Sequence, residues 1–300
     1  MAERIVITAM GICSALGDNL EQHLAGLLSG QSGLSVIEHV PTLHRDHIRV
    51  GELKHTNDFL AQQLGLPVVN HYSRTGLLGI WALKEAIAQA GLTPTEVAQL
   101  SMVMASSVGG MDMTERYFYA YTTQEELRRY IPYHNIGEVT GQIADYFGIK
   151  GYVTSVSTAC SSSANAILTA ANLLRTGRAQ RIAVGGADAL SIFTINGFNS
   201  LMILSDADCT PFDAHRKGLN LGEAGAFLIM EREATALAEG RTIIGVLSGW
   251  GNANDAYHQT ASSEEGEGAF LAMQQALAIS GLAPSDIDYI NAVSYTHLTL

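Results

Sequence analysis

One cysteine in this sequence stands where nucleophilic chemistry is favoured. Ser157-Thr158-Ala159-Cys160-Ser161-Ser162-Ser163 is a run of small residues that leads straight into a helical stretch, Ala164 to Arg175. In that stretch Ala164, Ala166, Ile167, Leu168, Ala170, Ala171, Leu173 and Leu174 leave no clean wet face, which predicts a helix buried on all sides. Cys160 then sits at the positive end of a core helix. A thiol attacks only as thiolate, and a helix N-terminus favours that form. The small neighbours leave room for a substrate, and backbone N–H groups at the terminus offer donors to an oxyanion. The chemistry this suits is attack on a thioester carbonyl to give an acyl-enzyme. A lone cysteine is also often just a small buried hydrophobe, and placement alone leaves both readings open.

The other reactive side chains are less well placed. Cys13 and Cys209 lack this context and read as structural. Three scattered cysteines make neither a disulfide framework nor a zinc site, and the odd count fits a reducing compartment. His39, His44, His47 and His55 lack metal-ligand regularity and read as surface.

The elements that position Cys160 alternate between strand and helix. Arg4–Ala9, Met102–Ala105, Tyr152–Val156, Arg181–Val184, Gly225–Met230, Thr242–Gly249 and Ile287–Asn291 read as strands. Helices are expected from an Asp18 cap to Leu28, over Ser73–Ala90, from Thr93-Pro94, and over Asn135–Tyr146 and Glu264–Ser280. Residues 31 to 70 read as irregular. The alternation predicts an α/β fold with a mixed or largely parallel sheet.

Composition narrows the function classes. The 300 residues are 47% hydrophobic but only 15% charged, against roughly 25% charged in an average soluble domain, so much surface is expected to be buried. That length suits one large domain or two ordinary ones. A net charge of −12 argues against nucleic-acid binding. The N-terminus reads as a strand rather than a signal peptide, and no apolar run reaches the ~20 residues of a membrane span. A cytoplasmic protein with no membrane and no nucleic-acid partner is expected.

Several motifs then fall in one order. Val156 through Ile167 closely resembles the nucleophile motif of β-ketoacyl carrier-protein synthases. Gly185-Gly186-Ala187-Asp188 resembles the strand end that follows it. Pro211-Phe212-Asp213 through Gly218, then Gly222-Glu223-Ala224-Gly225-Ala226, resembles the family's PFD…RxG…GEGAG block. Ile5 to Gly11, Asn254 to Thr260 and Asp288 to Ala292 are similar to its opening strand, its DAYH-x-T segment and the strand before its first catalytic histidine.

The resemblance implies a thiolase-like αβαβα five-layered sandwich. Residues 1–250 would be the N-terminal half, 251–292 the start of a C-terminal half, and 293–300 a non-native tail. It implies an acyltransferase that loads Cys160 from an acyl carrier protein and condenses the acyl group with malonyl carrier protein, in fatty-acid, polyketide or polyene synthesis. No metal or dissociable cofactor is implied beyond the phosphopantetheine arm that the carrier supplies. Val108 and Phe198 would line the acyl pocket, Thr260 would touch the pantetheine arm, and Tyr130 and Ile131 would reach across a dimer towards the partner's pocket. The dimer would be a homodimer or a heterodimer with a ketosynthase-like subunit. Arg128 and Arg129, with Arg74, would form a basic patch for an acidic carrier. His215 and His258 read as structural, and Glu223 and Asp255 as polar anchors rather than an acid–base pair.

The pattern breaks after Ala292, where the family has His-Gly-Thr and this sequence has Val293-Ser294-Tyr295. His297 is out of register with the missing histidine. The sequence as written is therefore expected to be truncated before the catalytic histidines, poor in condensation and less stable alone. A non-catalytic partner subunit like a chain-length factor is the alternative, although such subunits typically lack the nucleophile. A thiolase is the third reading, disfavoured by the PFD and DAYH blocks.

Overall fold

A mixed six-stranded sheet runs through the computed structural model, which describes residues 4–211, 213–258 and 263–291. Its strands are β1 (Ile5–Ser14), β2 (Ser101–Ala105), β3 (Val153–Val156), β4 (Arg181–Asp188), β5 (Ala224–Arg232) and β6 (Gly245–Leu247), in the order β3-β2-β4-β5-β1-β6. β3, β2 and β4 are parallel, whereas β5 runs against both β4 and β1. Parallel strands need covered faces and continuous apolar runs, and β2 is buried at every position.

The helices are α1 (Leu20–Leu28), α2 (Asn57–Gln63), α3 (Arg74–Gln89), α4 (Pro94–Gln99), α5 (Met111–Tyr117), α6 (Ile136–Phe147), α7 (Ser162–Arg175), α8 (Ile192–Ser200), α9 (Glu233–Ala238) and α10 (Glu267–Ser280). No helix among the described residues is long and apolar enough to cross a membrane.

The sheet divides the core in two. On one face Leu77, Leu78, Leu83 and Ala86 of α3, with Val139 and Ile143 of α6, pack on Met102, Met104, Ala183, Phe227 and Ile229. On the other, Ala166, Ala170, Ala171 and Leu174 of α7 pack on Val103, Ala105, Ile182, Val184 and Met230. α3 lies unusually close to the sheet, because a Cβ at Gly11 or Gly225 would collide with the carbonyl oxygens of Ala82 and Leu78. Those two glycines are required by packing rather than by any turn.

Three layers are therefore present among the described residues: helix, sheet, helix. Four expectations need correction. α7 is buried along one face only, since Ala164 and Asn172 are exposed and Ile167 and Leu173 half-buried; the described chain supplies a sheet on just one of its sides. Residues 287–291 form no strand, and Ile287, Tyr289 and Ile290 are exposed; an extended segment without a neighbouring ladder has nothing to bond to. The cap of α1 is Asn19, whose side chain accepts from the N–H of Gln22, and not Asp18. The irregular stretch 31 to 70 also contains α2, and the tail 293–300 lies outside the described residues.

A charge cluster ties one end of the central strands β4 and β5 to α4 and α9. Arg181 pairs with Glu231 (3.0 Å), Glu96 (3.4 Å) and Glu239, and Arg241 with Glu96 and with Glu239 (2.8 Å). Hydrogen bonds from Thr93, helped by the two arginines, bring the Glu96 carboxyl down from 4.5 to about 2. A depressed carboxylate contributes stability above its unfolded value and loses it as pH falls towards the folded one. Glu96→Gln is therefore expected to flatten the fall of stability between about pH 4.5 and 2, read from urea midpoints across that range.

Candidate functional site

Cys160 lies two residues ahead of α7, in a turn that the sequence builds from small side chains. Cys160 is exposed, Cys209 is half-buried and Cys13 is buried. Burial pushes the Cys13 thiol up to about 12, so Cys13 is inert at neutral pH.

The turn before Cys160 is held under backbone strain. Ala159 has φ of +52°, a region that L-residues other than glycine rarely adopt. Its carbonyl accepts from the Ser162 hydroxyl (2.6 Å), the Ser162 N–H (3.1 Å) and the Ser107 hydroxyl (3.1 Å). The Ser162 hydroxyl also accepts from the N–H of Thr158 (2.9 Å), closing the loop on itself. The Ser161 and Ser162 N–H groups are thereby spent on Thr158 and Ala159 carbonyls (3.3 and 3.1 Å) and are not free oxyanion donors. Ala159→Val would put a β-branched side chain in the left-handed region at a cost of about 1–3 kcal/mol. The variant should unfold at a lower temperature in a thermal melt, whereas Ala159→Gly should not.

The wall opposite comes from β2 and β4. Asp188, at the end of β4, accepts from the Ser106 hydroxyl (2.6 Å), the Ser107 N–H (2.9 and 3.0 Å) and the Val108 N–H (3.2 Å). Ser106, Ser107, Asp188, Cys160, Ser163 and Glu223 are among the residues lining an open cavity of about 400 Å³. A larger cavity of about 500 Å³, lined by Arg74, Asp112, Met113 and Leu190 among others, shares no residue with it. Between the two stands the Arg74–Glu223 ion pair, with contacts of 2.5 and 2.8 Å. Among the described residues no group of three or more His, Cys, Asp or Glu is arranged to hold a metal ion.

The molecule thus presents an exposed cysteine ahead of a sheet-packed helix in a mixed α/β layer structure. Residues 2–236 match the sequence model of the β-ketoacyl synthase N-terminal domain, and residues 244–296 that of the C-terminal domain. The chain belongs to the β-ketoacyl synthase family.

Among curated relatives, 3-oxoacyl-[acyl-carrier-protein] synthase 2 of Staphylococcus aureus (strain COL) is 30% identical over 302 residues, covering 97% of this chain and 72% of that protein. The protein of the same name from Vibrio cholerae serotype O1 is 29% identical, covering 96% and 72%. Of solved structures, the ishigamide ketosynthase/chain length factor superposes with a TM-score of 0.84 at 25% identity, covering 96% of this chain and 72% of that one. A ketosynthase in complex with its chain length factor from Xenorhabdus doucetiae gives 0.76 at 30% identity, covering 95% and 70%.

Within this β-ketoacyl synthase chain, the residues singled out by resemblance fall in different places. Val108 is half-buried beside Ser107 but is not among the residues lining the Cys160 cavity. Phe198 is half-buried on α8, a helix that supplies no described residue to that cavity. Tyr130 is buried, stacked on Tyr117 at 4.2 Å between ring centres, with the Arg129 guanidinium 5.0 Å over its ring. Ile131 beside it is half-buried. Thr260 lies outside the described residues.

Arg128 and Arg129 are exposed, but Arg74 departs from the surface patch expected of it. Its side chain is 7% exposed and grips Glu223, because a guanidinium fork buried beside a carboxylate is far better satisfied there than alone. Glu223 also accepts from the N–H groups of Leu53 (2.9 Å) and Leu190 (3.1 Å), so it anchors three segments at once. Asp255 accepts from the N–H groups of Ser263 and Gly268, both at 2.6 Å, and ties the loop before α10.

Sequence reasoning missed Asp188 and Ser107 as site residues. The available signal was an acidic residue closing the Gly185-Gly186-Ala187-Asp188 strand end. Its partners in Ser106–Val108 are 80 to 82 positions away and became visible only through β2–β4 pairing.

Proposed function

We propose that this chain takes an acyl group from a carrier-protein thioester onto Cys160, as the loading step of decarboxylative condensation with malonyl carrier protein. The single observation that carries the reading is the exposed Cys160 thiol on an open cavity, at the head of a helix packed on the sheet. The Cys160 thiolate adds to the thioester carbonyl, the electron pair moves to oxygen, and its return expels the pantetheine thiolate. No dissociable cofactor enters that step; the carrier brings its own phosphopantetheine arm. The condensation step draws on residues beyond Asn291, outside those described.

The partners follow from the same reading. An acyl carrier protein would dock by its acidic surface near the exposed Arg128 and Arg129. A second ketosynthase-like subunit, identical or not, would complete a dimer over the segment holding Tyr130 and Ile131. The reaction belongs in the cytoplasm. Similarity to ketosynthases solved with their chain length factors supports one further reading, in which this chain is the chain-length-factor-like member.

Intact-mass analysis after incubation with octanoyl carrier protein separates the two. The acyl-accepting reading expects one octanoyl group per chain, mapped to the Cys160 peptide. A folded chain that takes up none is the partner subunit instead.

A further inference from the structure

We propose that Ser107 is a positioning residue for Cys160: through its hydroxyl, and held in turn by Asp188, it clamps the Ala159 carbonyl and so aims the peptide that carries the Cys160 N–H. The inference rests on Cys160 being the acyl acceptor. Of the three donors on the Ala159 carbonyl, two belong to Ser162, inside the same turn. Ser107 alone of the three comes from elsewhere, the loop after β2, and ties the strained turn to the sheet.

That tie has a rigid foundation. The Ser107 N–H donates to both Asp188 oxygens, and the Ser106 hydroxyl and Val108 N–H donate to Oδ1. Asp188 ends β4, which pairs with β2 up to Ala105 and Gly186. A loop fastened to the central strands therefore holds Ala159 at its left-handed φ.

The consequence follows from peptide geometry. A trans peptide is planar, so its N–H points opposite its C=O, and no described peptide bond is cis. Fixing the Ala159 carbonyl towards Ser107 and Ser162 fixes the Cys160 N–H in the reverse direction. When the thiolate forms its S–C bond to the thioester, the carbonyl electron pair moves to oxygen. A preset N–H meets that oxyanion without reorganising. The pair then returns, the C–S bond to pantetheine breaks, and the carrier thiolate leaves to be protonated by water.

Alkylation provides the control. The thiolate displaces iodide from the tetrahedral carbon of iodoacetamide, a step that forms no oxyanion and needs only an accessible thiolate. Ser107→Ala should slow single-turnover acylation by octanoyl carrier protein roughly tenfold at saturation, about the worth of one hydrogen bond. The carrier concentration for half-saturation and the rate of iodoacetamide alkylation should both stay unchanged. Ser107→Thr, which keeps the hydroxyl, should restore acylation. An equal fall in acylation and alkylation, or no fall in either, overturns the positioning role. A wild-type chain that accepts no octanoyl group overturns the acyl-acceptor reading and this inference with it. Wild-type acylation alongside an unimpaired Ser107→Ala overturns this inference alone.

Discussion

Cys160→Ala is expected to abolish acyl uptake and to remove the fast-reacting thiol, leaving no substitute elsewhere in the chain. The alternatives are physically disqualified. Cys13 is buried with its thiol pushed up to about 12, so at pH 8 only about one molecule in ten thousand carries the thiolate. Its sulfur also lies 3.5 Å from the Leu78 carbonyl, beneath α3, where no carrier arm reaches. Cys209 is half-buried, far in sequence from any helix N-terminus of the described sheet-packing helices. A fall in acylation of at least about a thousandfold is expected, as for loss of a nucleophile in covalent catalysis. Quenched-flow acylation and timed iodoacetamide labelling measure it, with Cys13→Ala and Cys209→Ala as controls that keep the wild-type rate. Retained acylation in Cys160→Ala would remove Cys160 from the mechanism.

Glu223→Ala is expected to cost about 3–5 kcal/mol, because it leaves the Arg74 guanidinium buried without its counter-charge. The remaining side-chain hydrogen bonds of Arg74 would all be to neutral groups, the carbonyls of His55 and Leu53 and the Asn57 side chain, at 2.9, 3.0 and 2.9 Å, with the Glu52 and Asp112 carboxylates acting only from a distance. The N–H groups of Leu53 and Leu190 would lose their acceptor as well. Equilibrium urea unfolding should show the midpoint falling with an unchanged slope. Replacing both partners by apolar side chains, Arg74→Met with Glu223→Leu, should recover much of the loss, since no charge is then left buried. If Glu223→Ala alone proved neutral, the pair would be a surface-like contact and the partition between the two cavities would not depend on it.

Much of this architecture was legible in the residues. The period of α3, its Ser73 cap and the Thr93-Pro94 start of α4 all follow local rules of spacing and capping. Cys160 was legible too, since small residues before an apolar helical run are a local signal. Arg74 was not. Its neighbours in sequence are polar enough for a surface, and only the return of Glu223, 149 positions later, makes it a core residue. The same limit explains the strand expected over 287–291, where apolar β-branched residues signal extension but cannot specify a neighbour.

By itself the sequence determined the main strands, the helices that pack on the sheet and the family, and it singled out Cys160, because these depend on residue order over a few turns. Only the tertiary structure decided which polar groups face Cys160, that Arg74 is buried, and that Asp188 braces Ser107. Those contacts join positions 52 to 149 residues apart. The pairing of β2 with β4, and the close seating of α3 on β5, set them at hydrogen-bonding distance, and no local pattern encodes a distance between strands.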